Sequence, residues 1–237
     1  MSEAPPPSAP PSREPRAVPA RRALDWFSEA MRLWRRGPAM FCAFALVVVV
    51  ASVVLEPVPV AGALAANVLA PLLACGLLYA SLAADRGDRP RWSHLVAVFA
   101  APLPAQAAVV AGSLVPLAVE ALAAWSVADV NVLLPLADAS QLSVGAIAAI
   151  YAAGVAASLP VTFVPMAALF DGEPFARAFA ASLRAFARNV PALGAFAAFS
   201  FVLLALGIAT SGIGLVLALP WIAAASYAAW KDVFAVA

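Results

Sequence analysis

Charged residues are scarce in this sequence. Asp, Glu, Lys and Arg make up 11% of its 237 residues, whereas soluble domains carry about 25%. Hydrophobic residues make up 65%, and the mean hydropathy is +0.95. A chain with so much apolar surface needs lipid as its solvent, which excludes an ordinary soluble domain. The net charge of +1 provides no overall field that would attract nucleic acid, so no nucleic-acid partner is predicted.

Histidine and cysteine are nearly absent. His94 is the one histidine, and the two cysteines, Cys42 and Cys75, both lie in apolar segments. The sequence therefore predicts neither a zinc site nor a disulfide framework. It contains no G-x-S-x-G, H-E-x-x-H or phosphate-loop motif, and no two carboxylates within one apolar run. We expect a protein that is not an enzyme, with no catalytic residue, metal or cofactor.

Long apolar runs fill most of the chain. A membrane-spanning helix needs about 20 residues, and six apolar runs of this kind follow one another. They cover residues 39–56, 60–84, 103–125, 142–169, 190–209 and 213–230. The prediction is an all-α membrane protein with one six-span domain over residues 21–237.

The basic residues indicate how these spans are oriented. If the N-terminus is cytoplasmic, all 14 Lys and Arg residues fall on the cytoplasmic side, at residues 13–36, 86–91, 177–188 and 231. The three outer loops contain none, and carry the acids Glu56, Asp129 and Asp138. Basic residues concentrate in cytoplasmic loops of membrane proteins. We expect a multi-pass protein of a bacterial inner membrane with both termini in the cytoplasm.

The first 38 residues are not apolar enough to span a membrane. Residues 1–20 contain seven prolines, which oppose regular helix, and we expect a disordered cytoplasmic tail. Residues 21–38 predict an amphipathic helix along the cytoplasmic interface, either docked on the spans or in contact with lipid. Its apolar stripe is Leu24, Phe27, Met31 and Trp34. A second amphipathic helix is predicted at 174–188, with the stripe Phe175, Phe179, Leu183 and Phe186.

A threefold repeat is suggested by the order of these elements. Each unit would hold a cytoplasmic helix and a hairpin of two spans, over residues 23–87, 90–172 and 173–237. In each returning span a proline precedes a cytoplasmic acid by 11 to 14 residues, as the runs 68–85, 158–172 and 217–232 show. Because every unit begins and ends on the same side, the repeats would be parallel. The alternative is chance similarity between alanine-rich segments.

The last third of the chain resembles a known family. Residues 165–199 read PMAALFDGEPFARAFAASLRAFARNVPALGAFAAF, and the chain closes with ALPWIAAASYAAWKDVF. These runs are similar to a family of small, uncharacterised proteobacterial inner-membrane proteins, itself distantly similar to the membrane domain of glycerophosphodiester phosphodiesterases. The resemblance implies location and architecture; phosphodiesterase activity is not implied, because the catalytic domain is absent. The positions that carry the resemblance are Ser182, Arg188, Asn189, Tyr227, Asp232 and Phe234.

Four residues are candidates for function. Glu120 is the ionisable residue clearly inside a predicted span, and a charge in hydrocarbon costs at least about 2.5 kcal/mol. It lies five residues before Trp125, so it either reaches water at the interface or binds an ion or substrate. Arg184 and Arg188 belong to the second amphipathic helix, where they would meet anionic headgroups or simply be solvated. Asn189 follows them and belongs to the resembling positions.

Two functional hypotheses remain open. One is a non-enzymatic protein that organises or senses the membrane or assists a partner. The other is a small transporter or channel that works through spans bent by Pro71, Pro116, Pro160, Pro165 and Pro220, although proline is also common in membrane helices generally. The expected partners are membrane lipid and either a second membrane protein or further copies of the chain.

Overall fold

The computed structural model describes residues 13–55, 61–129 and 143–236, and within these ranges the chain is helical without any β-strand. The predicted all-α class is confirmed for this part of the chain. Two 3₁₀ turns, Ala97–Ala100 and Leu159–Val161, lie between helices. The helices are α1 (Arg22–Trp34), α2 (Pro38–Leu55), α3 (Ala61–Asp85), α4 (Trp92–Leu95), α5 (Leu103–Ala128), α6 (Val144–Ser158), α7 (Val164–Leu169), α8 (Phe175–Arg188), α9 (Val190–Ala209) and α10 (Leu215–Val233).

Five stretches within the described ranges are long and apolar enough to cross a membrane. They are Pro38–Leu55, Ala65–Asp85, Leu103–Ala128, Val144–Leu169 and Val190–Ala209. These agree with the first five predicted spans to within a few residues and indicate a multi-pass membrane protein. The sixth predicted span corresponds to α10, which has 19 residues but carries Lys231 and Asp232 in its last turn. The polar end keeps α10 out of this set. The outer-loop residues Glu56 and Asp138 lie outside the described residues.

The fourth span is broken in the middle by proline. Pro160 and Pro165 cannot donate backbone hydrogen bonds, and between α6 and α7 the chain forms the 3₁₀ turn Leu159–Val161. The Ser182 hydroxyl repairs the break from α8: it donates to the Pro160 carbonyl at 2.7 Å and accepts from the Phe163 N–H at 3.1 Å. A buried serine thus pairs one carbonyl and one N–H of the interrupted stretch.

Helix α1 is amphipathic, as predicted, but its buried face differs from the predicted stripe. Leu24 is 56% exposed, whereas Trp26 is 2% exposed. The face turned to the protein consists of Ala23, Trp26, Phe27, Ala30 and Leu33. The two alanines allow α1 to lie close to α10, and the tryptophan fills the space between them. Of the predicted stripe, Phe27 belongs to the face docked on the protein, whereas Leu24 lies on the exposed side of the helix.

Helix α8 shows the same shift from large to small residues. Its buried face is Ala178, Ala181, Ser182 and Ala185, and the predicted stripe residues Phe175 and Leu183 are 44% and 56% exposed. Small side chains permit the close approach of α8 to α7 and to the 3₁₀ turn. The aromatic stripe was not the buried face, and part of it is left on the outer surface of the protein.

The packing order places each short helix on a returning span. Helix α4 packs on α3, α8 packs on α7, and α1 packs on α10. Aromatic side chains fill the contact of α1 with α9 and α10. Phe27 stacks on Phe196 with ring centroids 5.5 Å apart, and the Trp221 indole donates to the Phe27 carbonyl at 2.9 Å.

Part of the predicted tail packs against the protein. Residues 1–12 lie outside the described residues, whereas residues 13–20, here called the N-terminal segment, run across the protein and bury Pro15. Prolines at positions 15 and 19 favour the extended backbone that this path needs. Residues 13–20 of the predicted tail thus lie against the protein.

Candidate functional site

A cluster of charged and polar side chains lies where α1, α3 and α10 meet. We call it the polar cluster. Its two central carboxylates are Asp85, at the end of α3, and Asp232, at the end of α10. Each carboxylate accepts hydrogen bonds from residues far away in sequence. The members of the cluster are Arg16, Arg22, Trp26, Glu29, Arg32, Asp85, Tyr227, Lys231 and Asp232.

Asp232 connects the N-terminal segment and α1 to α10. It is 8% exposed, and its Oδ2 accepts from Arg22 Nε at 2.7 Å and from Trp26 Nε1 at 2.9 Å. Its Oδ1 accepts from the Arg16 guanidinium, whose Nε also donates to the Asp232 carbonyl at 2.7 Å. A buried carboxylate with this many donors stays ionised and fixes the relative positions of three segments.

Asp85 connects α3 to α10 and α1. Its Oδ2 accepts from Lys231 Nζ at 2.6 Å and from the Tyr227 hydroxyl at 3.0 Å, and its Oδ1 accepts from Arg32 at 3.3 Å. Arg32 also forms a two-pronged ion pair with Glu29 on the same helix. Lys231 and Asp232 are neighbours in sequence, but Lys231 binds α3 through Asp85, whereas Asp232 binds α1 and the N-terminal segment. The end of α10 is therefore held by separate parts of the protein.

The N-terminal segment is also held by the end of α8. Asn189 is fully buried; its Oδ1 accepts from the Val18 N–H at 2.7 Å, and its Nδ2 donates to the Arg16 carbonyl at 3.0 Å. Arg188 Nη1 donates to the Pro15 carbonyl at 2.6 Å. The Arg16 N–H donates to the Val233 carbonyl at 2.8 Å. Four backbone groups of the segment are therefore bonded to the end of α8 and to α10.

Ion pairing in the polar cluster shifts pKa values of its members in the expected directions. The hydrogen bond from Arg32 lowers the pKa of Glu29, and the hydrogen bond to Asp232 raises the pKa of Arg22. Both shifts favour the charged forms. A cavity of about 410 Å³ lies beside the cluster and is lined by both its basic and its acidic side chains. The carboxylates of the cluster already accept hydrogen bonds from cations, so the arrangement suits holding segments together better than abstracting a proton.

The predicted candidates separate into two groups. Arg188 and Asn189 come together at the N-terminal segment, and their contacts there are structural. Arg184 is exposed and forms no ion pair with the described residues. No group of three His, Cys, Asp or Glu side chains suited to a metal ion occurs within residues 13–55, 61–129 and 143–236.

Glu120 lies at the contact between α5 and α6. Its side chain covers Gly154, since a Cβ atom built on that glycine would lie 1.8 Å from Glu120 Oε1. The side chain is half-buried. The largely apolar cavity in the middle of the bundle is lined by Gly112, Pro116 and Val155 from the same two helices, but not by Glu120. The carboxylate thus fills a notch between two helices.

Sequence reasoning missed Arg16 and Asp85. Arg16 lies in a proline-rich stretch that carries no helical period. Asp85 belongs to a cluster of charged residues that the predicted orientation of the spans already explained. The one available signal was charge: residues 13–22 contain basic residues, and an acid lies at the end of each returning span. This signal identifies no particular pair. The positions of the family resemblance were better guides, because Ser182, Asn189 and Asp232 all hold separate segments together.

Comparison with known proteins adds no relative to this description. No protein-family model matches the chain, and no curated protein and no solved structure is significantly similar to it.

Proposed function

We propose that this protein is a non-enzymatic organiser of a bacterial inner membrane that holds anionic lipid headgroups at its cytoplasmic face. The observation that carries the proposal is a set of exposed arginines without an ion pair among the described residues. In anionic leaflets each such charge near the surface contributes about 1 kcal/mol. These arginines are Arg21, Arg35, Arg36, Arg86, Arg89, Arg91 and Arg184.

Exposed apolar side chains beside these arginines support a membrane-surface role. Trp92 is 57% exposed next to Arg91, and Leu183 is 56% exposed next to Arg184. Aromatic and aliphatic groups of this kind lie at the boundary between headgroups and acyl chains. The arginines of the polar cluster are different, because their charges are neutralised within the protein.

A comparison of Arg184 with Arg177 tests this proposal. Both lie on α8, but Arg177 pairs with Glu173 at 3.1 Å and Arg184 has no such partner. We expect Arg184→Gln to weaken the preference for phosphatidylglycerol by about fivefold, the equivalent of about 1 kcal/mol, and Arg177→Gln to weaken it less. Mass spectrometry of lipids retained by the purified protein, from vesicles of phosphatidylethanolamine and phosphatidylglycerol, measures the ratio. Equal ratios in the wild type and both variants would refute headgroup binding and favour a protein partner.

The proposed topology has six spans, with α10 as the sixth and both termini in the cytoplasm. Its support is the distribution of the 14 basic residues and the length of α10. A periplasmic reporter fused at Asp129 should be active, and a cytoplasmic reporter fused after Ala237 should be active. Activity of the same reporter at both positions would contradict the six-span arrangement.

We also propose the threefold repeat as the origin of this architecture. The support is the recurrent packing of a short helix on a returning span, α4 on α3, α8 on α7 and α1 on α10. The acids Asp85, Asp171 and Asp232 each follow such a span and each pair with an arginine. Membership of the six-helix family that the last third resembles is proposed on the same architectural grounds.

Ion transport through kinked spans is the competing proposal. The prolines at positions 71, 116 and 165 do line the largely apolar cavity in the middle of the bundle, which favours a bent, open bundle. However, Glu120, the carboxylate that an ion pathway would use, covers Gly154 outside that lining. The geometry therefore favours the organiser over an ion transporter.

A further inference from the structure

The middle of the helix bundle contains a cavity of about 330 Å³, here called the central cavity. Its walls come from α3, α5, α6, α7, α9 and α10, and no charged side chain lines it. Pro71, Pro116 and Pro165 belong to these walls, and proline bends a helix and prevents close packing against its neighbours. The volume falls within the range of about 300–1,000 Å³ that is typical of ligand pockets.

The hydroxyl groups around the central cavity have little capacity to hold water. Ser113, Ser158, Thr162 and Ser226 each donate to a carbonyl of their own segment, at 2.7–3.0 Å. The Ser200 hydroxyl is buried and has no partner among the described residues. A buried water needs two to four polar partners; the bonded hydroxyls can still accept from a water, but only the Ser200 hydroxyl has a donor free to bind one. The lining therefore suits hydrocarbon.

A groove on the side of the bundle leads towards the central cavity. It has a volume of about 370 Å³ and lies between α6 and α9, where Val144, Tyr151 and Ile208 line it. Leu204 lines both the groove and the central cavity. The groove lies at the end of the bundle away from the polar cluster, since it is built from the start of α6 and the end of α9. It opens where the spans would face lipid.

The length of this path matches one lipid tail. From Ala209 in the groove to Ser200 in the central cavity, α9 rises about 14 Å at 1.5 Å per residue. One leaflet of a bilayer has a hydrocarbon layer of about 15 Å, half of the total of roughly 30 Å. A single acyl chain that starts at the outer interface is therefore long enough to reach the central cavity.

We infer that the central cavity binds an acyl chain of a membrane phospholipid, which enters from the leaflet opposite the polar cluster through the groove between α6 and α9. The site is separate from the arginines of the cytoplasmic face, so this inference does not depend on headgroup binding there. It assigns the protein a defined lipid-binding site within the membrane.

A photo-crosslinking experiment tests the inference on the full-length protein. The probe is phosphatidylethanolamine with a diazirine at the end of one acyl chain, in vesicles of phosphatidylethanolamine and phosphatidylglycerol. We expect adducts near Cys75 on α3, which is 2% exposed and lines the central cavity. Adducts on the exposed Val53 and Val54 of α2 report ordinary lipid contact and serve as the internal reference.

Two pairs of variants separate the cavity from the lipid-facing surface of α9. Ala197→Phe fills the central cavity and Leu204→Trp obstructs its junction with the groove; their controls are Ala198→Phe and Leu206→Trp, at exposed positions that line neither space. We expect the first pair to lower the ratio of Cys75 to Val53 adducts about tenfold. This corresponds to about two methylene groups of the acyl chain that are no longer buried. The control pair should leave that ratio unchanged.

Three results would overturn the inference. They are the absence of Cys75 adducts in the wild type, an equal ratio in all four variants, and labelling by a diazirine fatty acid with none by the phospholipid. The comparison uses variants whose unfolding temperature in detergent equals that of the wild type. Should one variant of the first pair fail to fold, the other still decides the outcome.

Discussion

Replacing Asp232 with asparagine should destabilise the protein by about 2–3 kcal/mol and release the N-terminal segment. Breaking a buried ion pair costs about 3–5 kcal/mol, and the lower figure applies here because the Arg16 and Arg22 side chains are 57% and 40% exposed and partly solvated. Asparagine keeps the size of the side chain but removes the charge and turns an N–H group towards the donors of Arg22 or Trp26. Thermal unfolding in detergent measures the loss.

Trypsin reports the second effect of Asp232→Asn. Arg16 is held by Asp232 and by a backbone hydrogen bond to Val233, and we expect cleavage after Arg16 to become faster when these contacts weaken. Asp25→Asn is the matched control, because Asp25 also pairs with Arg22 but is 56% exposed; its cost should stay below about 1 kcal/mol. If both variants unfold at the same temperature, Asp232 does not hold the N-terminal segment.

Replacing Gly76 with alanine should separate α4 from α3. A Cβ atom at Gly76 would lie 2.7 Å from Leu95 Cα and 3.1 Å from the Leu95 carbonyl oxygen. Both are backbone atoms, so no side-chain rotation relieves the collision and α4 has to move. Overpacking of this kind costs about 1–3 kcal/mol. We expect a lower unfolding temperature and faster hydrogen exchange of the amides in residues 92–100.

Gly194→Ala is the control for Gly76→Ala. Gly194 lies within α9, and nothing approaches within 4 Å of the Cβ that alanine would add. Because alanine favours helix over glycine by about 1 kcal/mol, this variant should be neutral or slightly stabilising. Destabilisation of equal size in both variants would show that the loss at Gly76 does not come from contact with Leu95.

The order of the spans could be read from composition, whereas the face that each amphipathic helix buries could not. Apolar runs such as 39–56 and 190–209 have no other stable location than lipid or a core, and they form α2 and α9. In α1 the sequence predicted a stripe that includes Leu24, whereas the structure buries the face with Ala23 and Trp26. The alanine-containing face allows closer packing on α10, and that choice depends on a helix almost 200 residues away.

The candidate residues divide in the same manner. Glu120 stood out because a carboxylate in an apolar run is costly, but its position against Gly154 depends on how α5 and α6 cross. Asn189 was named by resemblance, and its role became visible once Val18 and Arg16 lay beside it. Neither contact has a local sequence signal, because the paired residues are separated by 34 or more positions.

The sequence by itself determined the helical class, the approximate bounds of five apolar helices of membrane-spanning length and the presence of two amphipathic helices. The physical reason is that partition of an apolar run into lipid, and the helical backbone that lipid requires, depend on local composition. The tertiary structure decided how residues 13–20 pack on the protein and which cations pair with Asp85 and with Asp232. It also decided the existence of the central cavity. These features depend on side chains brought together from distant segments, and on the gaps that remain where proline prevents helices from closing.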